Sequence, residues 1–198
     1  MADAPAAGAT ALLVVDLIST WDFEDAEALV RGAVAIAARI GALKRRCRAA
    51  GVPAIYVNDN HGRWRSDFRR LVELSESSSP TGARIAQHLR PEDCDYSVLK
   101  PKHSAFFATP LDLLLRHLRA TKLLVTGISA DQCILLTASE ARMHDYEVVV
   151  PRDCTATQTA ARKARALAQL DIMEIRTTPS SRLRLPGHAP RQGAAIKE

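Results

Sequence analysis

Three polar residues stand where apolar runs end. Asp16 follows Leu12-Leu-Val-Val15, Lys100 follows Ser97-Val-Leu99, and Cys133 comes just past Val125-Thr-Gly127. If Cys133 opens a helix, the unpaired backbone amides and dipole of that first turn favour a thiolate. The same amides can hold the oxyanion of a tetrahedral intermediate. A lysine nearby lowers the thiol pKa further, and an aspartate can take the thiol proton and return it to a leaving amine. Together the three residue types describe acyl transfer through a cysteine nucleophile. Each also has a purely structural use. Cysteine is among the most buried residue types, a strand-ending aspartate can cap a turn, and lysines usually face water.

The elements that must position these groups alternate. Ala11–Asp16 reads as an apolar strand ending in a carboxylate, and Pro53–Asn58 as a second strand. Between them Ala26–Ala50 carries Leu29, Ala33, Ile36, Ile40 and Leu43 at helical spacing and stops at Gly51. Residues Ser75–Pro80 read as a Ser-rich loop before a short helix near Ile85–Leu89. Tyr96–Leu99 is a third strand, and Thr109 caps a helix with Pro110 at its first position and Asp112 near the reciprocal capping place. A fourth strand over Lys122–Thr126, a helix over Cys133–His144 and a fifth strand over Glu147–Val150 follow. Thr157–Leu170 is a further helix, and Met173–Arg176 a last strand. Strands apolar on both faces, separated by helices, predict an α/β fold: a three-layer α/β/α sandwich around a mostly parallel, Rossmann-like sheet. In such sheets ligands bind at the carboxyl ends of the strands. One domain over residues 1–178 is expected. Residues 179–198, with three prolines and no apolar period, read as a tail or oligomer arm.

Composition excludes several classes. The 198 residues are 47% hydrophobic and 25% charged, ordinary globular values. No apolar run approaches the ~18 residues of a membrane span, and Met1–Ala11 lacks the basic start of a signal peptide. Cys47, Cys94, Cys133 and Cys154 form no C-x-x-C pair, so they are expected to be reduced thiols in a cytoplasm. The formal charge of +5 leans on the C-terminus, where Arg182, Arg184, Arg191 and Lys197 oppose Glu198. With aromatics at only 5%, neither a clustered basic face nor a stacking platform for nucleic acid is in view. No G-x-G-x-x-G and no Gly-Lys-Ser/Thr loop occurs. Gly127-Ile-Ser129-Ala-Asp131 lacks the closing glycine of a serine nucleophile elbow.

Four blocks in order carry a family resemblance: Leu-Leu-Val-Val-Asp16, Val-Leu-Lys100-Pro-Lys-His-Ser-Ala-Phe-Phe107, Val-Thr-Gly-Ile-Ser-Ala-Asp-Gln-Cys133, and Thr-Ala-Ser-Glu-Ala141 leading into Tyr146-Glu-Val-Val-Val-Pro-Arg-Asp153. Over Ala11 to about Thr177 the chain resembles the isochorismatase-like cysteine hydrolases, which include nicotinamidases and N-carbamoylsarcosine amidases. The resemblance implies Asp16, Lys100 and Cys133 as the catalytic set. It selects Lys100 over Lys102, because the family lysine stands four residues before the small residue of a small-Ala-aromatic segment, here Ser104-Ala105-Phe106. It implies a non-proline cis peptide at Ile128–Ser129 and an oxyanion hole from the Ser129 and Cys133 amides.

The same resemblance implies hydrolysis of a small-molecule carboxamide or ureido C–N bond through a thioester. A catalytically silent binding protein and an isochorismatase-type ether hydrolase are the alternatives. The partner expected is a small molecule, with no nucleic acid and no membrane, and the chain is expected to form a homo-oligomer, a dimer or tetramer. Two departures blur substrate choice: Ala130 follows the cis peptide where many members have threonine, and Asp16 leads into Leu-Ile-Ser-Thr-Trp-Asp-Phe23. Trp21, Phe23, Trp64 and Phe107 are the candidate pocket aromatics. Asp59-Asn-His61 matches the start of a nicotinamidase metal motif, but the further histidine is missing from the loop that follows. His61 is therefore read as a structural residue or a substrate contact, with no metal and no cofactor expected.

Overall fold

The computed structural model describes residues 8–24, 26–60 and 67–186. In chain order the elements are β1 (Ala9–Val15), α1 (Ala26–Ala49), β2 (Ala54–Asp59), α2 (Phe68–Ser78), α3 (Pro80–Leu89), β3 (Tyr96–Lys100), α4 (Leu111–His117), β4 (Ala120–Ile128), α5 (Leu135–Met143), β5 (Glu147–Pro151), β6 (Thr155–Ala156), α6 (Ala160–Ile172) and β7 (Arg176–Thr178). The strands form one seven-stranded sheet in the order β3-β2-β1-β4-β5-β7, with β6 also paired to β4. Every strand pair is parallel.

Alternation along each strand splits its side chains between two apolar layers. Leu12 and Val14 of β1 join a cluster with Leu29, Ala33, Ile36 and Ile40 of α1 and Ile85 and Leu89 of α3. Ala11, Leu13 and Val15 face the other way, onto Leu111 and Leu115 of α4, Ala138 and Ala141 of α5 and Leu170 of α6. Helices therefore cover both faces, as the uninterrupted apolar run of β1 requires. The chain builds outward from β1 to β2 and β3, then crosses to β4 on the other side. The order reverses between β1 and β4, and a crevice opens at their carboxyl ends.

Several elements differ from expectation. Residues Ser75–Pro80 are not a loop: α2 runs through Ser78, and α3 begins at Pro80. Hydrogen bonding decides both starts, since the Asp67 carboxylate accepts from Arg70 N and the Ser79 hydroxyl from Gly82 N. The last strand is Arg176–Thr178, because Met173 still closes α6. A π-helical turn over Ala130–Ile134 precedes α5. Pro110 holds the capping position of α4, although the Thr109 hydroxyl still accepts from Leu111 N.

Of the stretch read as a tail or oligomer arm, 179–198, the described residues 179–186 pack on the domain. Leu183 is buried in the α1-side core and Leu185 packs against it. Arg46 of α1 donates to the carbonyls of Ser180 and Leu183 at 2.8 and 2.9 Å. Asp153 accepts from both the backbone and the hydroxyl of Ser180 at 2.7 Å. Residues 187–198 lie outside the described residues.

Candidate active site

Asp16 leaves β1 with a φ of 54°, a left-handed conformation that aspartate tolerates better than most side chains. Its Oδ1 accepts the backbone N–H of Asp59 at 2.9 Å, and its Oδ2 lies 2.9 Å from Lys100 Nζ. Lys100 ends β3 opposite Asp59 in the parallel register, and its side chain is fully buried. A buried ammonium is costly unless paired. Here the partners are Asp16, Asp59 at 3.9 Å and the Cys133 sulfur at 3.5 Å.

Cys133 arrives from β4. Gly127 has a φ of +117°, and a Cβ there would lie 2.0 Å from the Val15 carbonyl oxygen, so only glycine lets β4 and β1 close at this point. The Ile128–Ser129 peptide is cis. The π-helical turn follows, with Ile134 N donating to Ser129 O at 3.1 Å. Asp131 braces this turn. It accepts from Ser129 Oγ at 2.5 Å, Thr157 Oγ1 at 2.7 Å and Arg162 Nε at 2.6 Å. Burial opposes the Asp131 charge, but these donors outweigh it and hold the carboxyl below its ordinary value.

The electrostatics of the sulfur run against one expectation. Burial pushes the Cys133 thiol up to about 12, and the charge of the nearby Asp16 carboxylate pushes the same way. Lys100 acts in the opposite direction and does not prevail. Burial and the Asp16 charge thus favour a protonated resting thiol over a standing thiolate. Burial by itself also works against the Lys100 charge, yet Asp16, Cys133 and Asp59 together raise its pKa, so the ammonium is retained.

Asp16 and Cys133, with the fully buried Lys100 behind them, open onto a cavity of about 320 Å³ whose wall includes Ile18, Phe23, Leu29, Ile128, Ser129 and Gln132. Asn58 contributes too, its side-chain amide fixed by donation to Ile18 O at 2.8 Å. Asp16, Lys100 and Cys133 come together, and Ser129 stands with Cys133 on the wall. Of the expected aromatics, Phe23 lines the cavity. Trp21 does not; it packs on the α1-side core with its ring centroid 6.1 Å from that of Phe23. Phe107 is corrected as well: it is 54% exposed and away from the cavity. Phe106 turns inward instead, not to the cavity but into the core under α4 and α5, stacked on His144. His61 and Trp64 lie outside the described residues. Among the described residues no cluster of three or more His, Cys, Asp or Glu could hold a metal ion.

His103 is the residue that sequence reading missed. It lines the cavity with Nδ1 3.6 Å from Cys133 Sγ. It sits inside the Lys100–Phe107 block, three residues after the lysine, which is the signal that could have singled it out.

The model of the isochorismatase domain matches residues 10–180. An uncharacterized isochorismatase family protein of Bacillus subtilis, YaaI, is 35% identical over 161 residues, which is 81% of this chain and 88% of that protein. A probable inactive nicotinamidase of Arabidopsis thaliana is 34% identical over 160 residues, 76% of this chain and 82% of the relative. An isochorismatase-like hydrolase from Alkaliphilus metalliredigens shares the fold with a TM-score of 0.70 at 24% identity, covering 88% of this chain and 95% of that one. Other similar proteins include an N-carbamoylsarcosine amidase and an isochorismatase.

Proposed function

This chain belongs to the isochorismatase family, and from that premise we propose that it hydrolyses a C–N bond of a small carboxamide or ureido compound through a cysteine thioester. One observation carries the reading: the Cys133 thiol, 3.5 Å from a buried Lys100 that pairs with Asp16, opens onto a mostly apolar cavity. A carboxylate at the same cavity wall as the thiol can take its proton in acyl transfer.

As Cys133 sulfur bonds to the substrate carbonyl carbon, its proton passes to Asp16. The negative charge on the carbonyl oxygen meets the amides of Ser129 and Cys133. Collapse breaks the C–N bond, and Asp16 returns the proton to the departing nitrogen, which leaves as ammonia or an amine. Asp16 then removes a proton from water as it attacks the thioester. The acid leaves, and the sulfur recovers its proton. Lys100, 2.9 Å from the Asp16 carboxylate, attracts the negative charge as it moves to sulfur.

A panel of aromatic carboxamides and ureido acids, assayed for ammonia release, tests the proposal. Hydroxylamine added to a turning-over reaction should divert the thioester to a hydroxamate, and Cys133→Ala should give neither product. No ammonia from any substrate, with a Cys133 that no electrophile labels, would favour a binding protein on this fold. That outcome would match the inactivity named for the Arabidopsis relative.

A further inference from the structure

The loop after β3 brings a second nitrogen to the nucleophile. A thiol has one proton to donate. Once that proton has passed to Asp16, the sulfur can only accept, and His103 Nδ1 stands 3.6 Å from it. With its proton on Nδ1, His103 would donate to the sulfur in that state.

The other donor near the sulfur is already shared. Lys100 Nζ lies closer to Asp16, at 2.9 Å, than to Cys133 Sγ, at 3.5 Å, and it also faces Asp59 at 3.9 Å. When the thiol proton crosses to Asp16, negative charge moves onto sulfur, where the ammonium is not centred. A donor aimed at the sulfur from the exposed side of the cavity meets that charge. His103 is such a donor, exposed itself while reaching a buried sulfur. A hydrogen bond to a charged acceptor contributes roughly twice what a neutral one does.

We propose that His103 is a catalytic residue of this site: its Nδ1–H donates to the Cys133 sulfur and stabilises the thiolate, both as the thiol proton passes to Asp16 and as sulfur leaves the thioester. The proposal rests on the hydrolase reading for its role in turnover. The imidazole keeps its proton throughout, so no bond to nitrogen breaks.

Three substitutions separate a donor at this atom from simple bulk. In His103→Asn the amide nitrogen falls near the place of Nδ1, in His103→Gln near that of Nε2, and His103→Ala has neither. The rate at which iodoacetamide modifies Cys133, read by peptide mapping, should fall on the order of 10-fold in the Ala and Gln variants and be largely kept in Asn. For an amide that wild type hydrolyses, kcat should fall in the same order while KM changes little. Equal Cys133 labelling in all four proteins overturns the proposal, as does rescue by Gln but not by Asn. Labelling needs no substrate, so the two readings fail separately. A wild type that hydrolyses nothing, yet labels in a His103-dependent way, removes the hydrolase reading and keeps the sulfur contact. Normal turnover with no effect of His103 on either readout does the reverse.

Discussion

Asp16 and Lys100 meet across β2: the carboxylate that ends β1 reaches the ammonium that ends β3, 2.9 Å away, over the strand that lies between them. The Asp59 backbone N–H on that middle strand binds the other carboxylate oxygen. Three adjacent strand ends are thus tied together, and the tie holds the Asp16 carboxylate at the cavity that Cys133 reaches from β4.

Removing Lys100 should therefore cost more than a charge. Lys100→Met keeps bulk but leaves Asp16 without its buried partner, and kcat is expected to fall on the order of 100-fold or more. Lys102 is exposed, so Lys102→Ala should change turnover little. Steady-state kinetics beside thermal melts check both. Near-normal turnover in Lys100→Met, or a folded but inactive Lys102→Ala, would overturn the assignment.

Gly127→Ala should destabilise the fold itself. A methyl group would meet the Val15 carbonyl at 2.0 Å, at a φ of +117° that an L side chain rarely adopts. Backbone has no rotamer by which to yield, so a loss of about 2–4 kcal/mol is expected. Denaturant unfolding measures it. A variant as stable as wild type would mean that β1 and β4 can separate here without cost.

Much of this was legible in the chain because it rests on periodicity. The apolar run of β1 and the helical spacing from Leu29 to Leu43 identify their elements without help from tertiary structure. The four sequence blocks bring Asp16, Lys100 and Cys133 to one edge. What escaped depends on side chains closing hydrogen bonds in space. Serines 75, 77 and 78 look like loop residues by composition, yet Phe68, Leu71, Val72 and Ser75 share a helical face and Asp67 caps the start. Phe106 and Phe107 are indistinguishable as letters, and only the turn after β3 decides which one faces in. The thiol's protonation was misjudged for a related reason. A helix start and a lysine favour a thiolate, but the balance shifts once burial and the adjacent Asp16 charge are included.

Acid should loosen the brace behind the cis peptide. The Asp131 carboxyl sits below its ordinary value, so its contribution to stability is complete above the unfolded-state pKa of about 4 and fades as pH falls through the folded one. The stability gap between wild type and Asp131→Asn should therefore narrow as pH drops from about 6 towards 3. Urea midpoints across that range test it. A gap that stays constant with pH would show that the hydrogen bonds from Ser129, Thr157 and Arg162 do not depend on the carboxylate charge.

Asp16→Asn should separate the reactivity of Cys133 from catalysis. Burial raises the thiol pKa first, the Asp16 charge raises it further, and only Lys100 opposes them. Removing the charge leaves Lys100 unopposed by its nearest carboxylate, so the thiol pKa should fall and more thiolate should be present at neutral pH. Labelling of Cys133 by iodoacetamide is then expected to rise on the order of 10-fold, since the thiolate is the reacting form. Turnover should move the other way, by about 100-fold or more, because no group remains to carry the proton from sulfur to the leaving nitrogen. Cys94, which is exposed, serves as the internal reference, and the buried Cys47 and Cys154, both pushed up to about 12 chiefly by burial, should stay unlabelled. The opposed movement is the diagnostic result. If labelling and turnover fall together, Asp16 is what makes Cys133 reactive even without substrate, and the protonated resting thiol described above is wrong.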